Sequence, residues 1–212
     1  MPTLHANLSK DAGVPNVAGG VLWEDSVNKR LFLFGGQHFG TPAPFSLYSY
    51  DILYDKWSSL GEPRQSANII PTSHGAGVSV PDRGEAYYYG GWISAASMSG
   101  WKGGNQASER LVKYHMDTNT WTNLGGPDAV PRAEGTMVYI PAGDDGMLVY
   151  FGGIQDPQKN GSTMPQPLDT IFLFDIATAR WYTQRTTGRT PENRRQFCGG
   201  AAWAQDRSSY NM

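Results

Sequence analysis

Three times along the chain an aromatic residue is followed, seven positions later, by a tryptophan: Tyr50 by Trp57, Tyr114 by Trp121, and Phe174 by Trp181. Each pair stands in the same company. Upstream lies an apolar run that closes on two glycines: LFLFGG with Gly35 and Gly36, AYYYGG with Gly90 and Gly91, LVYFGG with Gly152 and Gly153. A second β-prone run follows, LYSYD, LVKYH or IFLFD, and leads to the tryptophan. A constant interval between two β-prone positions means a turn of fixed length between paired strands. The intervening DILYDK, HMDTNT and DIATAR suit a short hairpin connection. Repetition of this kind constrains a fold strongly, because each unit must bury its apolar faces against copies of itself.

Another strand, rich in small residues, precedes each glycine pair: GGVLWE from Gly19, HGAGVSV from His74, EGTMVYI from Glu134. Gly20 to Gly36 and Gly75 to Gly91 are each 16 positions, and Gly135 to Gly153 is 18. Each unit therefore reads as strand, short turn, strand, Gly-Gly, loop, strand, short turn, strand with Trp. That is a four-stranded antiparallel blade. The units span roughly 19–60, 73–124 and 132–184. The expected structure is all-β, with radially arranged blades and no long helix. The glycine pairs are expected at positive φ or against a neighbouring backbone, where a side chain is not tolerated. Trp57, Trp121 and Trp181 are expected to be buried between blades.

This pattern resembles the kelch repeat, whose marks are the glycine pair, then a Tyr-type aromatic, then a Trp at a set interval. All three units carry them, with Phe174 in place of the first aromatic once. The resemblance covers nearly the whole chain and implies a β-propeller of the kind found in the central domain of galactose oxidase. The stretch FCGGAAWAQDRSSYNM is also similar to fungal kelch-repeat proteins. A fourth unit opens at Arg194 and reaches Met212 after one strand and a turn, while Met1 to Asn16 reads as the tail of a preceding blade. Propellers close with four to eight blades. The expectation is therefore one partial propeller over 1–212, an incomplete ring with a partial unit at 194–212, cut from a longer protein or gene.

Composition removes several classes of function. A formal charge of -2 gives no general attraction to nucleic acid or anionic membrane. No run approaches the 18 or so apolar residues that a membrane span needs. The single cysteine, Cys198, rules out an intramolecular disulfide and a cysteine-based zinc cluster. Set in the apolar run FCGGAAW, it is expected to be a small buried hydrophobe. The first residues lack the apolar core of a signal peptide. Two sequons, at Asn7 and Asn160, permit a secretory route, and the compartment stays open.

Strand order separates the loops. Those after the first and third strands leave at one face and are short; those after the second and fourth leave at the other and are long. Gly36 to Tyr50 is 14 positions, Gly91 to Tyr114 is 23, and Gly153 to Phe174 is 21. A rigid scaffold with one elaborated face is how binding loops are displayed. Trp92 and Trp101 sit in the longest insert and are candidate anchors for a protein or a sugar ring, or pack that insert onto its own blade. Arg132 and Arg195, just before first strands, are candidates to line the channel mouth and meet an acidic ligand, or bond a neighbouring loop. His74 is a candidate ligand of the same kind, or a satisfied structural histidine.

Searches for catalytic machinery fail. The resemblance brings copper radical oxidases into view, which need a Tyr cross-linked to Cys and paired His. Here the four histidines are scattered and Cys198 lies within a strand. The E-x3-D-x3-H iron motif of plant specifier proteins is absent, as are G-x-S-x-G, the P-loop and HExxH. No catalytic residue, metal or cofactor is expected. The leading reading is a non-enzymatic module that binds a protein or glycan through the long loops. The alternative is a piece of a propeller enzyme whose catalytic residues lie partly elsewhere.

Overall fold

In a computed structural model, which describes residues 10–62 and 68–212, the chain forms three four-stranded antiparallel sheets. The first blade holds Val21–Asp25, Arg30–Phe34, Leu47–Asp51 and Lys56–Gly61. The second holds Ala76–Val80, Glu85–Tyr89, Leu111–His115 and Thr120–Leu124. The third holds Thr136–Ile140, Met147–Phe151, Thr170–Asp175 and Arg180–Arg185. Within every blade the strands lie side by side in chain order. The first strands of successive blades lie against one another, which puts them at the inside of the fan and the Trp-bearing fourth strands outside. A single 3-10 turn, Pro81–Arg83, is the one helical piece among the described residues. The all-β kelch-type propeller holds, and its ring is not closed.

The seven-residue interval has a direct cause. Tyr50 and Trp57, Tyr114 and Trp121, and Phe174 and Trp181 are directly opposed across their hairpins. The turn between them has the same shape each time: Asp55, Asn119 and Ala179 all take a positive φ, of 50, 51 and 52°.

All six motif glycines take positive φ, from 65° at Gly35 to 102° at Gly36. The second glycine of each pair also bonds the chain that enters the next blade. Gly36 N donates to Thr72 O, Gly91 N to Arg132 O, and Gly153 N to Arg194 O, each at 2.9 Å. The glycine pair is thus both a backbone bend and a blade-to-blade joint.

The core lies between blades. Trp23, Phe32, Phe34 and Leu47 of the first blade meet Ala86, Tyr88, Val112, Tyr114, Met116 and Trp121 of the second. Tyr87, Tyr89 and Leu111 of the second meet Leu148, Tyr150, Phe172 and Phe174 of the third. Aromatic rings dominate both contacts, as expected where large rigid side chains fill a wedge. Trp23, fully buried and stacked 4.9 Å from Phe34, is a central member that the repeat pattern does not mark.

Two expectations are corrected. Of the three motif tryptophans only Trp121 is buried; Trp57 and Trp181 are half-buried. The two motif tryptophans that have a described blade before them, Trp121 and Trp181, pack toward it. Trp121 reaches Trp23, Phe34 and Phe45, and Trp181 reaches Tyr89 and donates its indole N–H to Gly125 O at 2.8 Å. Trp57 has only Tyr50 of its own hairpin as a ring neighbour among the described residues. The second correction is Cys198, which is exposed. Beyond residue 194 the described strands are one small pair, Ala202–Trp203 with Tyr210–Asn211. Ala201 and Tyr210 rest on Val138, Ile140 and Val149 of the third blade, and no described residue covers Cys198.

Candidate functional site

The loops at the glycine-pair end are bonded to one another rather than hanging free. Val17–Ala18 pairs with Gln37–His38, and Trp92–Ile93 with Gln106–Ala107. Ser73 bridges to Trp92, and Ser108 to Arg132. Arg132–Ala133 pairs with Ile154–Gln155, which pairs in turn with Met164–Pro165. The post-glycine inserts and the blade-to-blade segments therefore form short ribbons at one end of the fan.

At the inner edge of these ribbons the backbone makes a repeated link. His74 N donates to Gly19 O at 2.7 Å, Glu134 N to His74 O at 2.7 Å, and Gln196 N to Glu134 O at 2.8 Å. All four residues hold positive φ: 67° at Gly19, 55° at His74, 63° at Glu134 and 54° at Gln196. Glycine adopts this geometry freely, whereas other residues are strained there and hold it only where the surrounding structure imposes it. Gly19, His74 and Glu134 each stand directly before a glycine and a first strand, Gln196 holds the corresponding place after the third blade, and His74, Glu134 and Gln196 border one cavity.

Glu134 is the hub of this inner edge. It is only 9 % exposed. Its Oε1 accepts the Trp92 indole N–H at 3.0 Å, and its Oε2 lies 3.4 Å from the Arg195 guanidinium. His74, Trp92, Asn105, Glu134 and Gln196 border one cavity of about 550 Å³. Three of the five candidates from the sequence, His74, Trp92 and Arg195, thus converge on a glutamate that the repeat pattern marks only as the start of a strand.

The other two lie elsewhere. Arg132 is 3 % exposed and clamps loops together. Its Nε donates to Gln166 Oε1 at 2.9 Å, its two terminal nitrogens donate to the Asp128 carboxylate at 2.7 and 2.8 Å, and the guanidinium stacks 4.3 Å from the Phe172 ring. Burial works against both charges, but the pairing outweighs it, holding Asp128 below and Arg132 above their ordinary pKa values. Arg132 is therefore a buried strut, not a free cation at a channel mouth. Trp101 is half-buried and folds back on its own insert, donating its indole N–H to Gly104 O at 3.0 Å.

Asp156 is a second residue that sequence reasoning misses. Fully buried, it accepts backbone N–H bonds from Ala107 at 3.1 Å, Asn160 at 3.2 Å and Gly161 at 3.0 Å. It ties the third blade's insert to the second's. The Asn-Gly that comes after it, a strong turn signal, is the available clue. Asn160 itself is exposed, and its Oδ1 accepts from Ser162 N at 2.9 Å. The sequon at Asn7 lies outside the described residues.

Comparison with known proteins agrees with this architecture. A family model described as the KLHDC2/KLHL20/DRC7 Kelch-repeats domain matches residues 10–208. A Kelch repeat-containing protein of the fungus Arthroderma benhamiae is 33% identical over 242 aligned residues, covering 94% of this chain. The same alignment covers 35% of that relative, so this chain spans about a third of its length.

Proposed function

The chain belongs to the kelch-repeat family, and from that premise we propose that it is a non-enzymatic interaction module that binds a protein through the long loops at its glycine-pair end. The observation that carries this reading is the bonding of those loops into ribbons, Ser73 to Trp92, Ser108 to Arg132, and Arg132–Ala133 to Ile154–Gln155 to Met164–Pro165. Ordered loops bind with less entropic cost than loose ones. Insert length supports it too, since a blade needs only a few residues to join these strands. Trp92 and Trp101 are half-buried, with ring surface left for a partner.

The test is a pull-down with the protein, comparing wild type with a Trp92→Ala, Trp101→Ala double variant, beside a glycan array. The reading expects a specific protein partner whose binding the double variant weakens. Capture of a glycan in place of a protein, or binding that maps to the short turns Ser26–Lys29 or Asp117–Asn119, would overturn it.

A further inference from the structure

We infer that the cavity beside Glu134 takes a cationic side chain, lysine or arginine, presented by the peptide partner, with Glu134 as its counter-ion and Arg195 as the group it displaces. This rests on the long-loop face being the binding face. The cavity measures about 550 Å³, within the usual range for ligand sites. Among the described residues Glu134 is the one carboxylate that borders it, while Arg195, whose guanidinium lies against Glu134 Oε2, lines the neighbouring cleft beside Gly153 and Ile154.

The carboxylate is nine-tenths buried and incompletely bonded. Trp92 holds Oε1, but among the described residues nothing donates a hydrogen bond to Oε2, which they seal from solvent. A buried carboxylate oxygen without a donor is costly. What lies over it is the guanidinium of Arg195, 3.4 Å away on a side chain that is 62 % exposed. At that distance, and with its arginine largely in solvent, the contact compensates the buried oxygen weakly. The chain thus already seats a guanidinium at this oxygen, without bonding geometry, and a partner's cation would find a place of matching charge and shape. Asn105 and Gln196 also border the cavity, and the amide side chain of either residue type can accept an N–H from such a group. The fold itself does not demand a carboxylate here, since glycine serves at the equivalent place in the first blade, at Gly19.

A random peptide library displayed on phage, selected on immobilised wild-type chain, tests this. The selected peptides should share a Lys or Arg at one position. A selected peptide should bind Glu134→Gln about tenfold more weakly or worse, and Arg195→Ala about threefold more tightly, because a competing cation is gone. Glutamine keeps the acceptor for Trp92, so an unchanged Trp92 indole N–H resonance in Glu134→Gln checks that the variant is folded. Selection of acidic or uncharged peptides, no selection at all, or undiminished binding to Glu134→Gln overturns the inference. If binding survives Glu134→Gln but falls in the Trp92→Ala, Trp101→Ala variant, the long-loop reading stands without it; if neither variant matters, both fall.

Discussion

The amide of Gly91 donates to the carbonyl of Arg132 at 2.9 Å, which fastens the end of one blade's second strand to the chain entering the next blade. Gly91 and Gly153 stand at φ of 90 and 84°, and a Cβ there would press on the backbone carbonyls of Ser73 and Ala133 respectively. Gly91→Val and Gly153→Val should each cost more than about 2 kcal/mol, because a β-branched residue resists this geometry and has no room. Urea unfolding measures it; unchanged midpoints in both variants would refute the account.

The motif tryptophans should divide by burial. Trp121→Ala is expected to cost about 3–5 kcal/mol, as for a core aromatic. Trp57→Ala should cost under about 2 kcal/mol, since its ring is half-exposed. Iodide quenching of single-tryptophan variants is an independent check: Trp57 should quench readily and Trp121 should not.

The two arginines should behave oppositely. Arg132→Ala removes a buried guanidinium with bonds to Gln166 and Asp128 and should cost at least about 2 kcal/mol in thermal or urea unfolding. Arg195→Ala removes a guanidinium that is 62 % exposed, lies 3.4 Å from Glu134 Oε2 and makes no hydrogen bond to it, and should cost less than Arg132→Ala. Equal effects would contradict the placement of either.

Alkaline pH should loosen the core. Burial pushes the phenols of Tyr88, Tyr89 and Tyr114 up to about 12, against an unfolded value near 10. The folded state therefore keeps protons that the unfolded state has released. The stability these groups contribute is fully present below about pH 10 and falls as pH rises from about 10 to 12. Urea midpoints across that window should drop. Tyrosinate absorbance should rise as the urea midpoint falls, when the phenols of Tyr88, Tyr89 and Tyr114 lose their protons.

Much of this fold is legible in the sequence because its repeats are local. Opposed pairs such as Tyr114 and Trp121 lie across a single hairpin, and the glycine pairs mark a backbone geometry that few residues tolerate. What depends on a neighbouring blade is harder to read. The burial of Trp57 turns on which blade it faces, and the apolar run around Cys198 suggests burial although no second described sheet covers it. Glu134 is hidden because its importance comes from a backbone link to His74 and from side chains far away in sequence, Trp92 and Arg195. Its one local sign is the register it shares with His74, each directly before a glycine and a first strand.

Both motif tryptophans with a described blade before them turn toward it, Trp121 to Phe34 and Trp181 to Tyr89. The two surfaces that meet at such a contact are different, so the contact is heterologous and has no self-complementary form. Copies of this chain that meet through these blade surfaces must do so head to tail. A two-fold axis through one such contact is excluded, and repetition leads to a closed ring or an open filament.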